Sequence, residues 1–346
     1  MWLDWARITR EANVLYVGTQ DPPQDDSDLD LLPQLGVKNI CASPPEPWRE
    51  WNVDLLTGFR EKIETHGLSL DMIELPLESR PIAENGAPHV FLGPSDERDR
   101  EIDQICELIR SMSLAGIPAG KYNVTILGIL RTESTYGRGG AKLSTFRYSE
   151  LDQTLPDVAD APAEVMWERI DHFLERVVPV AEEYKIRLAC HPQDPGIGDR
   201  TYRGVARVLG TVDGLKRFIN MHSSPYHGLN FCQGTVSEML DNPGEEIYDI
   251  IRYFGERDKK FNVHYRKIKG GSLDFVEVFP DEGDVDMLRA LRAYRDTGYK
   301  YMIMPDHTPQ VVGPGARRTG FAYCYGYINA LLQVIEVEDR SNPRVN

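Results

Sequence analysis

Residues 187–192, Arg-Leu-Ala-Cys-His-Pro, decide the fold. They form a short apolar run that gives way to a proline loop, with His191 at the junction. Three later runs, 228–232, 261–268 and 299–304, also contain or lead into a cysteine, histidine or aspartate near a loop. Short apolar runs bounded by turn residues are typical of buried parallel strands.

Runs of this kind alternate with segments of helical periodicity along almost the whole chain. We predict eight strands, at 13–19, 37–43, 70–75, 122–130, 187–191, 228–232, 261–268 and 299–304. The predicted helices lie at 52–66, after Ser95, and at 163–183, 212–218, 245–254, 285–296 and 320–335. Alternating strands and helices imply right-handed βαβ units and a parallel sheet.

Eight such units fit a closed barrel, and we predict one α/β domain with the (β/α)₈ TIM-barrel fold. The barrel domain is expected over residues 1–338, with a solvated tail over 339–346. A doubly wound open sheet is the alternative, but no Gly-x-Gly-x-x-Gly follows the first strand. The long connections 76–94 and 132–162 are expected to lie over the active-site face as lids or substrate walls.

Composition argues against several classes of protein. A formal net charge of −15 does not suit a general nucleic-acid binder, which needs clustered lysine and arginine. The five cysteines show no Cys-x-x-Cys spacing, which favours a reducing compartment over a disulfide framework. With no signal pattern and no apolar run near the ~20 residues that span a bilayer, we expect a soluble cytoplasmic protein without membrane partners.

Four potential metal ligands follow the last four predicted strands: His191, Cys232, His264 and Asp306. Any one of them alone would usually be a packed structural residue. In a barrel, however, consecutive strand ends neighbour one another around a common rim. Two imidazoles, a thiolate and a carboxylate that converge there would bind a divalent metal.

Several motifs of the chain resemble those of the D-mannonate dehydratases, a family of the xylose-isomerase-like barrel group. Residues 191–195, His-Pro-Gln-Asp-Pro, are similar to the family's His-Pro-Asp-Asp-Pro. Residues 228–234, Val263-His264-Tyr265-Arg266 and Pro305-Asp306-His307 match further family stretches. The resemblance implies one divalent metal, usually Mn²⁺ with Fe²⁺, Co²⁺ or Zn²⁺ as alternatives, on the same four ligands. It also implies a sugar-acid substrate and a homo-oligomer, either a dimer or a tetramer.

The chain departs from the family pattern at positions that face the substrate in relatives. The family's arginine before Pro-Asp-His is Met304 here, a histidine is replaced by Pro280, and a tyrosine considered catalytic is replaced by Phe321. Tyr323 and Tyr325 lie near that missing phenol. An intact set of metal ligands with an altered substrate set predicts related chemistry on a different substrate.

The predicted reaction is metal-assisted elimination of water from a sugar acid, giving a 2-keto-3-deoxy product. His307 is the first choice for the general acid or base, although support of Asp306 is an equal alternative. Arg131, Arg266 and Lys267 are candidates for holding the substrate carboxylate, with ordinary ion pairing as their alternative.

The remaining predicted site residues complete this set. Glu277 would orient a hydroxyl or a histidine, or form a salt bridge to Arg266. Asn230 and Tyr323 are predicted to contact substrate, and Arg317-Arg318 could replace the cation absent at Met304.

Two other functions remain open from the sequence. A metal-dependent sugar isomerase or epimerase would share the same ligands and the same type of intermediate, so only the mass of the product separates it from a dehydratase. A sugar-acid-binding protein without turnover is the second, because Phe321 and Pro280 lack acid–base groups.

Overall fold

The computed structural model describes residues 15–341, and its centre is a closed barrel of eight parallel strands. Each strand pairs with its neighbours in the chain, and the first pairs with the last to close the ring. In chain order the strands are β1 (Tyr16–Thr19), β2 (Asn39–Cys41), β3 (Ser69–Glu74), β4 (Ala119–Asn123), β5 (Arg187–His191), β6 (His227–Cys232), β7 (Lys260–His264) and β8 (Met302–Met304). The (β/α)₈ prediction is confirmed, and every predicted strand corresponds to a barrel strand.

Two predicted strands differ in extent from the observed ones. The prediction at 122–130 missed the start of β4 at Ala119 and ran past its end at Asn123. The prediction at 261–268 merged β7 with a separate strand, Lys267–Gly271. Tyr265 and Ile268 made that run look continuous because both are apolar residues. Both are buried in the structure, but they lie beyond the end of the barrel strand. Residues 13 and 14 of the first predicted strand lie outside the described residues.

Nine α-helices occur within the described residues. They are α1 (Asp26–Gln34), α2 (Val53–Thr65), α3 (Asp96–Leu114), α4 (Ala163–Tyr184), α5 (Val212–Asn220), α6 (Gln233–Ser237), α7 (Pro243–Gly255), α8 (Met287–Asp296) and α9 (Ala316–Ser341). Asn52 and Ser95 cap α2 and α3 by accepting backbone N–H groups of the first turn. No helix in residues 15–341 combines the length and apolar character needed to cross a bilayer.

Some helix boundaries were not predicted. Helix α1 was missed altogether, and it tolerates Pro33 near its end. Helix α4 continues through Pro179 as one element. The last helix extends to Ser341, so residues 339–341 are helical where a tail was predicted to begin; residues 342–346 lie outside the description.

Apolar side chains fill the lower interior of the barrel. They come from alternating inward positions of the strands: Cys41, Met72, Ala119, Ala189, Phe261, Met302 and Met304. Gly18 permits this packing, because a Cβ there would lie 2.7 Å from Met302 Sδ. This packed layer separates the amino ends of the strands from the carboxyl ends, where barrel enzymes place their active sites.

A small antiparallel sheet stands beside the barrel and is built from the long connections. It comprises Lys267–Gly271, Asp274–Val278 and Thr145–Arg147. The last of these belongs to the 132–162 connection, which is therefore a packed wall over this part of its length. This sheet carries Glu277, whose backbone N–H donates to Ser144 O at 2.8 Å.

Candidate active site

A cavity opens at the carboxyl ends of the barrel strands, where barrel enzymes place their active sites. Its polar lining comes from two sides of the barrel mouth. One side is formed by residues of the first, third and fourth strands and of the loops after them, and the other by residues of the last four strands and of the loops after them. The polar residues are Gln20, Glu74, Lys121, Asn123, His191, Gln193, Asp194, Arg207, His264, Asp306 and His307. Val124, Gly128, Ile129 and Pro192 contribute apolar surface. The site is thus small, polar and formed by residues from both halves of the chain.

The four predicted metal ligands converge beside this cavity. One possible ligand atom from each of His191, Cys232, His264 and Asp306 lies within 4.8 Å of those of the other three. Strand register produces this arrangement, because Cys232 stands opposite His264 in the β6–β7 pair and His191 ends the adjacent β5. Spacing in the sequence and geometry in the structure therefore select the same set.

Both histidines are oriented by contacts outside the cluster. His191 Nδ1 lies 2.6 Å from Pro192 O, which fixes its proton and leaves Nε2 for a ligand. His264 Nε2 lies 3.1 Å from the Asn230 amide, which Asn262 holds in turn. His264 Nδ1 is buried without a hydrogen-bond partner in the described residues and lies 3.4 Å from Asp306 Oδ1.

The sulfur of Cys232 is also prepared for binding. It is fully buried and receives the backbone N–H of Thr235 at 3.4 Å and the Thr235 hydroxyl at 3.1 Å. Both donors stabilise a thiolate, the form of cysteine that binds metals. An unpartnered buried nitrogen, a second oriented imidazole, a hydrogen-bonded sulfur and a carboxylate together fit one divalent ion.

A network of buried charges lies behind the cluster. Arg131 forms a two-pronged pair with Asp194 at 2.5 and 3.1 Å and also contacts Glu277. Arg266 lies 2.8 Å from Asp194, 2.8 Å from Glu238 and 3.6 Å from Glu277. Burial would raise the pKa of Asp194, but Arg131 and Arg266 outweigh it and lower that pKa far below its usual range.

This network changes the expected role of the two arginines. Their guanidinium groups already bind protein carboxylates, so neither offers a free fork to a substrate carboxylate. Arg266 Nε also lies 3.3 Å from Asp306 Oδ2, which ties the network to the metal cluster. The trio Asp194, Glu238 and Glu277 is compact enough to suggest a second metal site, but it encloses arginine side chains.

His307 connects the network to the cavity. Its Nδ1 lies 2.7 Å from Glu277 Oε2, and its Nε2 lies 3.4 Å from Asp306 Oδ2. Burial favours the neutral imidazole, but the carboxylates of Glu277 and Asp306 outweigh it and raise the pKa of His307 to about 9. His307 lines the cavity, and 39% of its side chain is exposed.

Other predicted site residues lie away from the cavity. Lys267 is on the antiparallel sheet, and neither it nor Tyr323 is among the lining residues. Tyr323 accepts a hydrogen bond from Arg138 at 3.4 Å on the surface. Asn230 is fully buried and supports His264. None of these three side chains therefore lines the cavity in which a substrate would bind.

Phe321, which replaces the family's tyrosine, and Arg317-Arg318, the alternative cations, are also not among the residues that line the cavity. Phe321 packs on Tyr325, and Tyr325 shares a 2.6 Å hydrogen bond with Thr19. Arg317 and Arg318 pair with aspartates around α1 on the surface. They do not replace the cation that the family pattern places at 304.

The sequence did not predict the side of the cavity that lies opposite the metal cluster and is formed at β1, β3 and β4. Gln20 follows β1, Glu74 ends β3, and Lys121 lies in the middle of β4. A lysine within a buried strand was the available signal, because lysines are rarely buried without a partner. The predicted strand began at residue 122 and left Lys121 outside it.

Solved structures of similar fold define the class. Chains described as xylose isomerase domain proteins from Planctomyces limnophilus and Alicyclobacillus acidocaldarius superpose with TM-scores of 0.60 and 0.63. They are 14% and 13% identical, and each alignment covers 93% of this chain and 98% or 100% of the other. The protein accordingly shares the (β/α)₈ barrel fold of these xylose isomerase domain proteins.

Closer likenesses identify the family. The D-mannonate dehydratase (UxuA) family model matches residues 140–342, more than half of the chain. Mannonate dehydratase 2 of Halalkalibacterium halodurans is 26% identical over 327 residues, covering 85% of this chain and 90% of the relative. A mannonate dehydratase from Streptococcus suis serotype2 superposes with a TM-score of 0.78 at 21% identity, covering 94% and 95% of the two chains. The chain belongs to the D-mannonate dehydratase family, which confirms the resemblance found in its motifs.

Proposed function

We propose that the protein is a metal-dependent hydro-lyase that removes water from a mannonate-like sugar acid to give a 2-keto-3-deoxy acid. The observation that carries the proposal is the cluster of two histidines, a cysteine and an aspartate in direct contact with the His307–Glu277 pair. Membership of a family named for dehydration supports the same reaction.

His191, Cys232, His264 and Asp306 would hold the ion. Manganese is the first choice, with iron, cobalt or zinc as alternatives, since the mixed nitrogen, sulfur and oxygen set suits all of them. The ion would act as a Lewis acid toward oxygens of the substrate and thereby acidify the neighbouring C–H bond.

Side chains of the protein would orient the substrate and transfer protons. His307 Nε2 is the ring nitrogen left for this role, because Glu277 occupies Nδ1. A histidine so held can remove or return a proton at a reacting carbon or oxygen. Arg131 and Arg266 would act by fixing Glu277, and through it the ring of His307, rather than by touching the substrate.

The substrate is expected to differ from mannonate in stereochemistry or chain length. Met304 is fully buried in the apolar interior, and Phe321 packs against another aromatic ring. Neither can make the ionic contact or the hydrogen bond expected of the arginine and the tyrosine in the family pattern.

A product analysis tests this proposal. Metal-loaded protein is incubated with a panel of aldonic and uronic acids, and the products are examined by mass spectrometry. We expect at least one acid to lose the mass of one water and to form a 2-keto-3-deoxy product. A product of unchanged mass would replace the proposal with isomerisation or epimerisation, and tight binding without turnover would replace it with a binding protein.

Cellular setting and assembly follow as further proposals. All five cysteines are buried and unpaired, which supports a location in a reducing cytoplasm. Val334 and Val337 are exposed on α9 and support a homo-oligomer, a dimer or a tetramer. Light scattering during size-exclusion chromatography tests the assembly, and a monomer would contradict it.

A further inference from the structure

Lys121 is a buried cation inside the barrel mouth that the reaction described above does not use. It lies in the middle of β4 and is 8% exposed. It lines the same cavity as His191, His264 and Asp306. Its strand neighbour Ala119 and its register partner Ala189 belong to the apolar interior layer, so Lys121 stands directly above packed barrel core.

The contacts of Lys121 leave it able to bind a ligand. Its Nζ donates to Gln20 Oε1 at 2.9 Å and lies 3.4 Å from Glu74 Oε1. An ammonium has three donors, and these are its two side-chain partners among the described residues. Burial alone would lower the pKa of Lys121, but Glu74 and Asp306 outweigh burial and raise it, so the group remains a cation.

Gln20 shows where an anionic group would lie. Its amide oxygen accepts from Lys121, and its amide nitrogen donates to Asp306 Oδ1. A single planar three-atom group therefore spans the distance between the ammonium and the metal cluster. A carboxylate has the same shape and offers a charged acceptor, so it would bind Lys121 more strongly than the neutral amide does.

The other cations near the cavity are already used. Arg207 is the arginine among the described lining residues, and its guanidinium donates to backbone oxygens of Pro195, Gly128 and Asp194 at 2.7, 3.1 and 2.5 Å. Arg131 and Arg266 are held by protein carboxylates. Of the lysine and arginine side chains among the described lining residues, Lys121 therefore has the fewer hydrogen bonds to protein oxygens.

We propose that Lys121 binds the carboxylate of the substrate and selects acids over neutral sugars, with Glu74 as the competing internal carboxylate. The inference rests on the proposed function for its class of substrate. It assigns the recognition of charge to the wall formed by β1, β3 and β4, opposite the last four strands.

Binding of an unreactive acid tests the inference without turnover. The probes are the 3-deoxy derivatives of five- and six-carbon aldonic acids, which have no C3 hydroxyl to lose, and their uncharged controls are the corresponding primary amides. Calorimetry on the metal-loaded protein should show that the acid binds more tightly than the amide. In Lys121→Met that preference should fall about 10- to 100-fold, as expected for loss of a charge-assisted hydrogen bond.

Matched variants separate recognition from a structural role. Lys121→Arg should restore part of the preference, and Lys216→Met, which removes an exposed lysine of α5, should leave it unchanged. Metal content should stay the same in all of them, because removing a cation does not weaken a cation site. Glu74→Gln, which frees Lys121, should increase the preference for the acid several-fold and remains informative if Lys121→Met does not fold.

Two results would overturn the inference. One is a wild-type protein that binds the acid no better than the amide; the other is a Lys121→Met protein that keeps the full preference. Neither depends on product formation. Loss of the preference in Lys121→Met would support Lys121 as the carboxylate-binding residue even if no acid of the panel were dehydrated.

Discussion

The two walls of the cavity differ in the number of carboxylates that hold their cations. On the wall from the last four strands, the single side chain of Arg266 contacts three carboxyl groups, those of Asp194, Glu238 and Asp306. On the wall from β1, β3 and β4, Lys121 and Gln20 are linked by one hydrogen bond, and Glu74 is about one-third exposed. The first is called the fixed wall, because several carboxylates hold its cation before a ligand arrives. The second is called the open wall, because Lys121 contacts a single carboxylate. This difference suggests that the fixed wall holds the metal and the proton-transfer group, and that the open wall recognises the substrate.

The largest effect is expected from removing a ligand on the fixed wall. Cys232→Ala should lower metal content well below one ion per chain and abolish turnover. Changes of residues that merely support ligands already cost roughly 10- to 100-fold in metal affinity or activity. Elemental analysis after dialysis measures the metal, and Cys106→Ser on α3 is the matched control with unchanged content. Full metal content in Cys232→Ala would remove the cysteine from the ligand set.

His307 should affect catalysis without affecting the metal. His307→Asn is expected to lower kcat by about 10²- to 10⁴-fold, the usual contribution of a general acid or base. The same variant should keep its metal, and Glu277→Gln should show a smaller fall because the ring loses only its anchor. Steady-state kinetics with parallel metal analysis checks both. A His307→Asn protein that loses its metal would instead assign His307 to support of Asp306.

Arg266 tests the rigidity of the fixed wall. Arg266→Met leaves the buried Asp194 carboxylate with one counter-charge fewer, and breaking such a pair costs about 3–5 kcal/mol of folding stability. Arg138→Met is the control, because its pair with Asp281 is exposed and should contribute no more than about 1 kcal/mol. Urea denaturation measures the free energy of unfolding. Equal losses in the two variants would show that the network behind the cluster is not a rigid support.

The smallest effect concerns Lys260, a second buried lysine in the barrel. It lies at the start of β7, where its Nζ donates to Ile251 O at 2.8 Å, and no carboxylate within residues 15–341 contacts it. Burial lowers the pKa of Lys260 to about 7. Between pH 7 and its unfolded value the unfolded chain binds more protons, so stability should rise with pH by at most about 1.4 kcal/mol per unit.

The contribution of Lys260 is isolated by comparison with a variant. Lys260→Met should remove this part of the slope when wild type and variant are unfolded in urea at several pH values. Parallel stability curves would mean that Lys260, unlike its counterpart Lys121, keeps an ordinary pKa. The comparison thus tests whether a buried lysine of the barrel that lacks a carboxylate partner has a lowered pKa.

The sequence predicted one wall of the site far better than the other. His191, Cys232, His264 and Asp306 could be found because each occurs where an apolar run meets a loop, and a barrel brings successive strand ends together. Lys121 could not be found in this way, since it lies within a strand and its contacts come from residues 20 and 74. Such pairings depend on strand register, which short runs of sequence do not specify.

For the arginines the sequence left substrate binding and ion pairing as alternatives, for a related reason. Arg131 and Arg266 were recognised as candidates for an anion, but the sequence does not show that Asp194, Glu238 and Glu277 would reach them first. Glu277 itself arrives on a hairpin that the prediction merged into a barrel strand. Ion pairs between residues far apart in the sequence therefore determine which groups the two arginines contact, and the local sequence does not show these pairs.

Anomalous diffraction from crystals of the manganese-loaded protein would locate the bound ion. We predict one strong peak per chain, in contact with His191, Cys232, His264 and Asp306. A peak held instead by Asp194, Glu238 and Glu277, or the absence of any peak in this cavity, would contradict the account.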